Sequence, residues 1–330
     1  MKPSLISANE WLKYNVMFLA EHFLGDKLSS ILLASRIEEL TANIENRLAT
    51  IPKSSIVNDI PFEEYGKDVI QPPHVPTDKV QVYRQRASNW RCVQNWDLDY
   101  FKNHCGDKKF TILNSEGLFE RGVQTFGETT MTNYIDQLRS GSKVYLKFSP
   151  IIQHDSVLRN DFDESWLEKF TLPTSFGRKY FLFIGGKGTL TPIHNALANT
   201  VFVQIYGRKK WTFWAPNQRM FLGVKPERRA YFFSRLQLDQ SNSDEFPLSK
   251  YATKFEVTLN PGDAIWFPGF FWHHVENLDH SIGVAYKTAH LPSAWSNSSV
   301  LTLLTFFATK PFLLDSLIRT GFKNNERVFM

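Results

Sequence analysis

The sequence predicts a mainly β core, a sandwich or a barrel, with helical segments at both ends. First, aromatic residues are abundant, with 28 Phe, 9 Trp and 11 Tyr among 330 residues, which favours a β-rich interior. Second, the middle of the chain consists of short aromatic and β-branched runs separated by Gly and Pro turns. Third, helical periodicity is confined to residues 1–51 and to the part after Leu291.

The first 51 residues are predicted to form a helical extension. Ser7 and Glu10 have the spacing of a capping box, so a helix is expected to begin there. Gly25 interrupts its pattern, and a second helix is predicted from about Asp26 to Thr50. The apolar stripe of this second helix consists of Leu33, Ile37, Leu40, Ile44 and Leu48.

Residues 52–78 hold five prolines, which predicts a surface connector without regular structure. Residues 79–290 are predicted to form the β domain, and residues 291–330 a C-terminal helical segment. The predicted strands of the β domain are Val144–Phe148, Lys179–Ile184, Thr200–Tyr206, Lys210–Ala215, Phe255–Leu259, Ala264–Phe267 and Ile282–Tyr286. The aromatic residues expected to fill the interior are Phe181, Phe183, Phe202, Phe213, Trp266 and Phe267.

Charge and cysteine content argue against several classes of protein. The 38 Lys and Arg against 33 Asp and Glu leave a net charge of +5, a weak signal for an anionic partner. Cys92 and Cys105 are too few for a disulfide framework, which is typical of a reducing compartment. The most apolar run, Val300–Ala308, is shorter than the roughly 20 residues of a membrane-spanning helix, and no secretory signal is evident. We therefore expect a cytoplasmic protein without a membrane partner.

Two histidines at the starts of strand segments are candidate metal ligands. His194 follows a Gly-rich turn, and His273 opens another strand segment 79 residues later. Two imidazoles from separate strands could meet at a barrel mouth and bind a divalent transition metal. From spacing alone, packing or surface exposure is the more frequent explanation of such a pair.

A family resemblance is carried by three segments, Thr191–His194, Val203–Trp211 and Asn260–Glu276, and by Ala87–Trp90 with Trp96–Tyr100. The three segments resemble the JmjC/cupin-like oxygenase family, most closely the branch that includes the asparaginyl hydroxylase acting on hypoxia-inducible factor, and residues 87–100 resemble the family's N-terminal part. The resemblance implies a double-stranded β-helix, also called a jelly-roll or cupin fold, that binds Fe(II) and 2-oxoglutarate. It also implies a C-terminal helical segment that can serve in dimerisation.

The resemblance implies a role for four residues of this chain. His194 and His273 match the two metal-ligand histidines. Lys209 matches the lysine that pairs with the distal carboxylate of 2-oxoglutarate, and Thr191 matches a hydroxyl that assists it. Neutral imidazoles suit Fe(II), and a cation with a hydroxyl donor can hold a carboxylate. The alternative for Lys209 is a solvated charge in a hairpin.

The metal site departs from the family pattern at its third ligand. The family has His-x-Asp or His-x-Glu, but this chain reads His194-Asn195-Ala196, and alanine has no atom that binds a metal. Strand alternation turns Asn195 away from the face of His194 and argues in the same way against His274 and Glu276. Within the protein, only a carboxylate from a distant part of the chain could then supply the third metal ligand.

Three interpretations of the function remain open. In the first, the protein is an Fe(II)/2-oxoglutarate oxygenase that oxidises an unactivated C–H bond, with water or a remote group in place of the carboxylate. In the second, chloride takes that place and the protein is a halogenase, as in other 2-oxoglutarate enzyme families with His-x-Ala sites. In the third, the fold is a catalytically inactive cupin-like binding module. Oxygenase chemistry is favoured over an inactive module because Thr191, Lys209 and both histidines are all present. Hydroxylation is favoured over halogenation because the branch that the chain resembles hydroxylates.

Residues 216–254 form a long connection that contains alternating basic and aromatic residues. Arg228, Arg229 and Tyr231 are the candidate substrate rim. Such a pattern can bind nucleic acid, but a packed loop with a solvated basic edge is the favoured interpretation. The expected substrate is a small molecule, a carrier-bound metabolite or a protein side chain. The apolar stripes at 28–51 and 300–318 predict a homodimer.

Overall fold

The structure of the chain is a computed structural model that describes residues 5–51, 62–69, 74–114, 126–226, 231–238 and 242–307. Within these residues, fourteen strands form one sheet of nine strands and one of five. Apolar side chains from both sheets meet in one cluster, so the two sheets face each other across a shared core. This arrangement confirms the predicted mainly β core with helical extensions.

Helices flank the β core along the chain. Two long helices precede it, six short ones lie among its first strands, and two follow it in the described part of the chain. They are α1 Ala8–Leu32, α2 Ala34–Ala49, α3 Arg91–Asn95, α4 Leu98–Cys105, α5 Met131–Arg139, α6 Ile151–His154, α7 Ser156–Arg159, α8 Glu164–Glu168, α9 Leu291–Asn297 and α10 Ser299–Phe307.

All seven predicted strands overlap observed ones. The strands are β1 Phe62–Tyr65, β2 Val80–Tyr83, β3 Lys109–Asn114, β4 Phe126–Thr130, β5 Val144–Ser149, β6 Phe176–Gly185, β7 Leu190–Ala196, β8 Asn199–Tyr206, β9 Lys209–Trp214, β10 Tyr231–Phe233, β11 Phe255–Leu259, β12 Ala264–Phe267, β13 Trp272–Asn277 and β14 Ser281–Ala289. The large sheet has the order β1-β2-β12-β8-β14-β6-β5-β3-β4, and the small sheet the order β10-β7-β13-β9-β11.

The first helix begins at the predicted capping box. The Ser7 hydroxyl accepts the Glu10 backbone N–H at 3.3 Å, and the Glu10 carboxylate accepts the Ser7 backbone N–H at 2.7 Å. Gly25 interrupts the helix as predicted, with a φ of 76°. A further break at Leu33 separates α1 from α2, so the second predicted helix is itself divided. Arg47 of α2 donates to Glu10 at 2.8 Å and ties the two helices together.

One strand lies where the sequence predicted only a connector. β1 pairs in parallel with β2 and extends the edge of the large sheet. Its four residues lie between Pro61 and Pro72, so no proline interrupts the hydrogen bonds of this short ladder. The Phe62 ring stacks on Phe255 with the centroids 4.2 Å apart, which links this edge to the small sheet.

Alternation along the strands separates the core between the sheets from a second core outside the large sheet. Trp266 was expected in the interior but packs in the outer core, where it stacks on Phe170 with the centroids 5.3 Å apart. Its offset of one residue from Phe267 turns it to the opposite face of β12. The predicted interior aromatic residues that do lie in the inner clusters are Phe181, Phe183, Phe202, Phe213 and Phe267.

The helical extension carries exposed apolar side chains. Six of them on α1 are between 52% and 76% exposed: Leu12, Val16, Phe23, Leu28, Ile31 and Leu32. The homodimer stays a prediction, and residues 308–318 of its predicted interface lie outside the described residues. Among the helices that the structure describes, none has the length and apolar character needed to cross a bilayer. Cys92 and Cys105 are buried free thiols.

Candidate active site

The two candidate metal-ligand histidines are direct cross-strand neighbours. β7 carries His194 and β13 carries His273, and the antiparallel register of the two strands pairs these residues. Their ring centroids are 4.2 Å apart. The pair therefore forms within the small sheet, because β13 lies beside β7, and not across a barrel mouth as the sequence suggested.

Both imidazoles are neutral and have the same tautomer. The Nδ1 atom of His194 lies 2.8 Å from the Pro192 carbonyl oxygen, and that of His273 lies 3.0 Å from the Phe271 carbonyl oxygen. Because a carbonyl oxygen only accepts, Nδ1 carries the proton and Nε2 the lone pair in each ring. Burial lowers the pKa of His273 to about 3 and the pKa of His194 well below its usual value, and the charge of Lys287 contributes to both.

Ala196 leaves the histidine pair without a local carboxylate. It lies two residues after His194 on the same strand, and its methyl group cannot bind a metal. Asn195 points elsewhere, since its Nδ2 donates to the Phe270 carbonyl oxygen at 3.1 Å. Nowhere in the described residues do three His, Cys, Asp or Glu side chains come together as a metal site.

Lys209, the residue expected to bind the distal carboxylate of 2-oxoglutarate, opens β9 and is fully buried. Its Nζ donates to the Tyr145 hydroxyl of β5 at 3.1 Å and lies 4.7 Å from the centre of the Phe202 ring. Burial, together with the nearby charge of Lys147, lowers the pKa of Lys209 to about 7. Its burial excludes the alternative of a solvated hairpin charge. An amine beside a hydroxyl in such a place suits a carboxylate.

Two further lysines face the same interior, and the sequence analysis missed both. Lys147 lies two residues after Tyr145 on β5, and Lys287 lies on β14. Lys147 Nζ donates to the Leu190 carbonyl oxygen at 3.4 Å, and Lys287 Nζ lies 4.8 Å from the centre of the Phe148 ring. Burial lowers the pKa of each lysine to about 7. The one signal in the sequence was a lysine inside an otherwise apolar strand.

These side chains line a single cavity of about 40 Å³ between the two sheets. We call Lys209, Tyr145 and Lys147 its amine end, and His194, His273 and Lys287 its imidazole end. In the register of β9 and β13, Lys209 pairs with Asn277, and Phe213 pairs with His273. The two ends of the cavity therefore lie four residues apart along both strands. The other lining residues are Phe148, Phe183, Thr191, Thr200, Phe202, Trp211, Phe267, Val275 and Ala285.

A β-bulge brings Thr191 to the same cavity as His194 in spite of their odd spacing. On β13 the two partner residues, His273 and Val275, are two positions apart, whereas on β7 their partners His194 and Thr191 are three apart. The extra residue on β7 reverses the alternation locally. Alternation along β7 alone predicts that Thr191 points away from the cavity. Thr191 was identified as a site residue only from the family resemblance.

The predicted substrate rim falls largely outside the described residues. Arg228 and Arg229 lie outside them. Tyr231 begins β10, which pairs with β7 and places the Tyr231 backbone opposite Ala196. The Tyr231 side chain is outside the described part of the molecule as well.

The donor set fits a transition metal that is held by two protein ligands. Two neutral imidazoles with Nε2 lone pairs suit Fe(II), and the backbone carbonyls bonded to Nδ1 fix their orientation. No third ligand comes from the described residues, so the other positions on the metal would fall to non-protein ligands. The amine end fits a carboxylate of 2-oxoglutarate.

Comparison with known proteins identifies the family of the domain that contains this cavity. Residues 74–287, nearly two thirds of the chain, match the family described as Cupin-like domain. JmjC domain-containing protein D of Dictyostelium discoideum is 32% identical over 226 residues, which are 62% of this chain and 50% of that protein. HSPB1-associated protein 1 of Homo sapiens is 33% identical over 121 residues, 36% of this chain and 24% of that protein. tRNA wybutosine-synthesizing protein 5 of Mus musculus is 25% identical over 223 residues, 61% of this chain and 69% of that protein.

These relatives share the central domain more than the whole chain. The match covers only about a quarter of the length of the HSPB1-associated proteins of Rattus norvegicus and Homo sapiens. The matched family segment contains every residue of the two cavity ends. The two facing sheets, the family match and the JmjC-named relatives lead to one conclusion, that the chain belongs to the cupin-like family of JmjC-type domains.

Proposed function

We propose that this chain is a 2-oxoglutarate-dependent oxygenase of the JmjC type with a two-histidine metal site, and that it hydroxylates its substrate as the asparaginyl-hydroxylase branch does. The observation that carries the proposal is the shared cavity, in which a carboxylate-binding amine end and a pair of neutral imidazoles lie four residues apart along the same two strands. The JmjC names of two relatives support the same type of chemistry.

Each end of the cavity has a separate task in this proposal. Lys209, Tyr145 and Thr191 would hold the distal carboxylate of 2-oxoglutarate, while His194 and His273 would hold Fe(II). Together, Fe(II) and 2-oxoglutarate supply the oxidation, in which O₂ converts 2-oxoglutarate to succinate and CO₂ and a C–H bond of the substrate to an alcohol. The aromatic walls of the cavity, including Phe202 and Trp211, exclude water from the reacting groups.

An anaerobic absorbance titration with Fe(II) and 2-oxoglutarate tests this function. A metal-to-ligand charge-transfer band is expected for the wild-type protein, because both ligands meet in one cavity. The Lys209→Met variant should need far more 2-oxoglutarate to produce the band. Lys210→Met is the matched control, since Lys210 follows on the same strand but pairs with Glu256 at 3.0 Å outside the cavity. Absence of the band in the wild-type protein would contradict the oxygenase function.

A halogenase is the second candidate function. It is supported by Ala196 in the ligand strand and by the positive charge of Lys287 near both imidazoles, which favours an anion at that end. Adding chloride to the same titration separates the two candidates. A chloride-dependent shift or tightening of the band would favour halogenation, and a band indifferent to chloride would favour hydroxylation.

A further inference from the structure

We propose that Lys287 forms a second carboxylate subsite at the imidazole end, so that lysine amines hold a dicarboxylate at both ends of the cavity without a metal ion. The inference rests on the proposed function only in taking 2-oxoglutarate as the dicarboxylate. It concerns how the ligand is bound and does not require that it be oxidised.

The charge of the cavity is the first argument. Three lysines and two histidines line it, and no Asp or Glu is present among the described lining residues. The contacts of two of the amines are neutral: Lys209 donates to a phenol hydroxyl, and Lys147 to a backbone carbonyl oxygen. Buried charges are costly unless an opposite charge accompanies them. The two histidines are neutral, so the positive charge comes from the amines, and a dianion can accompany two protonated amines where a single carboxylate accompanies one.

The position of Lys287 is the second argument. The family pattern places a carboxylate beside the histidine pair, but this chain has Ala196 there. Lys287 pairs in register with Thr200, Thr200 pairs with Phe267, and the Phe267 ring centroid lies 4.8 Å from that of His273. The charge of Lys287 acts on both imidazoles. A nearby cation repels a divalent metal and attracts an anion, and the effect is strong in a buried site. The amine of Lys287 therefore makes a carboxylate the favoured ligand of this end when no metal is bound.

The lysine side chains have to move before a dicarboxylate can enter the cavity. The cavity measures about 40 Å³, little more than the share of one water molecule. Lys209 and Lys147 turn toward the Tyr145 hydroxyl and the Leu190 carbonyl oxygen. A five-carbon dicarboxylate enters when these flexible side chains swing away and exchange their neutral partners for carboxylate oxygens, which form stronger hydrogen bonds.

Calorimetric titration of the full chain, freed of metal by a chelator, tests the proposal. We expect 2-oxoglutarate and glutarate to bind with similar affinity, because glutarate keeps both carboxylates and lacks only the oxo group that a metal chelate needs. Pentanoate, which has one carboxylate, should bind at least about tenfold more weakly, since a charged hydrogen bond contributes this much or more.

A substitution of Lys287 tests whether this residue forms the second subsite. Lys287→Met keeps the length of the side chain and should lower the affinity of metal-free protein for both dicarboxylates at least about tenfold. Lys210→Met, which removes a lysine outside the cavity, should leave both affinities unchanged. Circular dichroism and thermal unfolding check that each variant is folded, and Lys287→Gln provides a second test if Lys287→Met does not fold.

The outcomes separate this inference from the proposed function. Binding that appears only after Fe(II) is added would overturn the inference and leave the oxygenase function standing. Metal-free binding that Lys287→Met does not weaken would overturn the assignment of the subsite. Metal-free binding without a charge-transfer band would support the inference and contradict the oxygenase function. No binding with or without Fe(II) would overturn both.

Discussion

The amine end and the imidazole end of the cavity differ in the chemistry of their side chains. At the amine end, Lys209 and Tyr145 form a direct hydrogen bond of 3.1 Å, which places an amine beside a hydroxyl. At the imidazole end, two neutral histidines lie side by side with centroids 4.2 Å apart, Ala196 follows two residues after His194, and Lys287 adds a positive charge. One cavity therefore joins a pair of neutral imidazoles to three amines.

In the functions proposed above, side-chain charge, more than backbone geometry, decides which ion each end binds. The register of β7 and β13 places the two imidazoles together. A substitution at position 196 should leave that register intact and change only the charge beside the imidazoles. The predictions below test the two ends separately, from the largest expected effect to the smallest.

Removing the amine of Lys209 should have the largest effect. Lys209→Met is expected to lower the affinity for 2-oxoglutarate about 100-fold, because a buried charge-assisted hydrogen bond contributes roughly 1.5–3 kcal/mol. Calorimetry with and without Fe(II) measures this loss. Lys210→Met should stay within about twofold of the wild-type affinity, since its partner is Glu256 on the outside of the sheet. An equal loss in both variants would show that net charge, and not the amine end, governs binding.

An acidic residue at position 196 should make the imidazole end bind metal more tightly. Ala196→Asp is expected to raise the affinity for Fe(II) at least about tenfold, because it adds an anionic oxygen ligand beside two imidazoles and opposes the charge of Lys287. Anaerobic competition with a metal-binding dye measures the affinity. Ala196→Asn is the matched control, because it has nearly the same size and no charge. If the aspartate variant binds Fe(II) no better than the asparagine variant, Ala196 is not at the ligand position.

The strands and the histidine pair could be predicted from the sequence for identifiable reasons. Turn residues separate the strands clearly, so all seven predicted strands were found. The resemblance named His194, His273, Lys209 and Thr191, and all four line the cavity. Their functional roles stay predictions. The bulge that carries Thr191 into the lining could not be derived from alternation, since a bulge leaves no mark in residue type here.

Lys147 and Lys287 escaped prediction because their strands are largely covered on both faces. β14 is buried along its whole length, and β5 packs against β3 and β6 with apolar residues on either side. Alternation of apolar and polar residues identifies the inner face only when the other face meets water. In such strands a lysine signals a buried charge, and only the register shows which cavity it enters. The prediction placed Trp266 on the wrong face of β12 for the same reason.

Metal-free binding of a dicarboxylate should weaken as pH rises above 7. Burial holds the pKa of Lys147 and Lys209 at about 7 in the free protein, and a carboxylate prefers their charged form. Above pH 7 the amines lose protons, so binding must take protons up again, and affinity falls by up to about tenfold per pH unit for each proton. Calorimetry between pH 6.5 and 8.5, in buffers of different ionisation enthalpy, counts the protons. An affinity independent of pH would contradict this linkage.

The smallest expected effect is on the stability of the ligand-free protein. The pKa of Lys147 is about 7 in the folded protein and near 10.4 in an unfolded chain, so unfolding takes up a proton between these values. Lys147 should therefore add up to about 1.4 kcal/mol per unit to the stability that the wild-type protein gains as pH rises from 7 to 9. Lys147→Met should lack this share while it keeps those of Lys209 and Lys287, whose pKa values are also about 7. The titratable groups whose charges couple to Lys147 include Lys209 and His194.

Urea unfolding at pH 7 and pH 9 measures this difference between the wild-type protein and the variant. Lys147→Met should be the more stable at pH 7, because methionine fills the same space without a buried charge, and its advantage should shrink at pH 9. Lys210→Met controls for the loss of a lysine outside the cavity. If the advantage of Lys147→Met is the same at both pH values, Lys147 keeps its proton throughout. An anion would then already compensate the amine end, and the contrast between the two ends would fail.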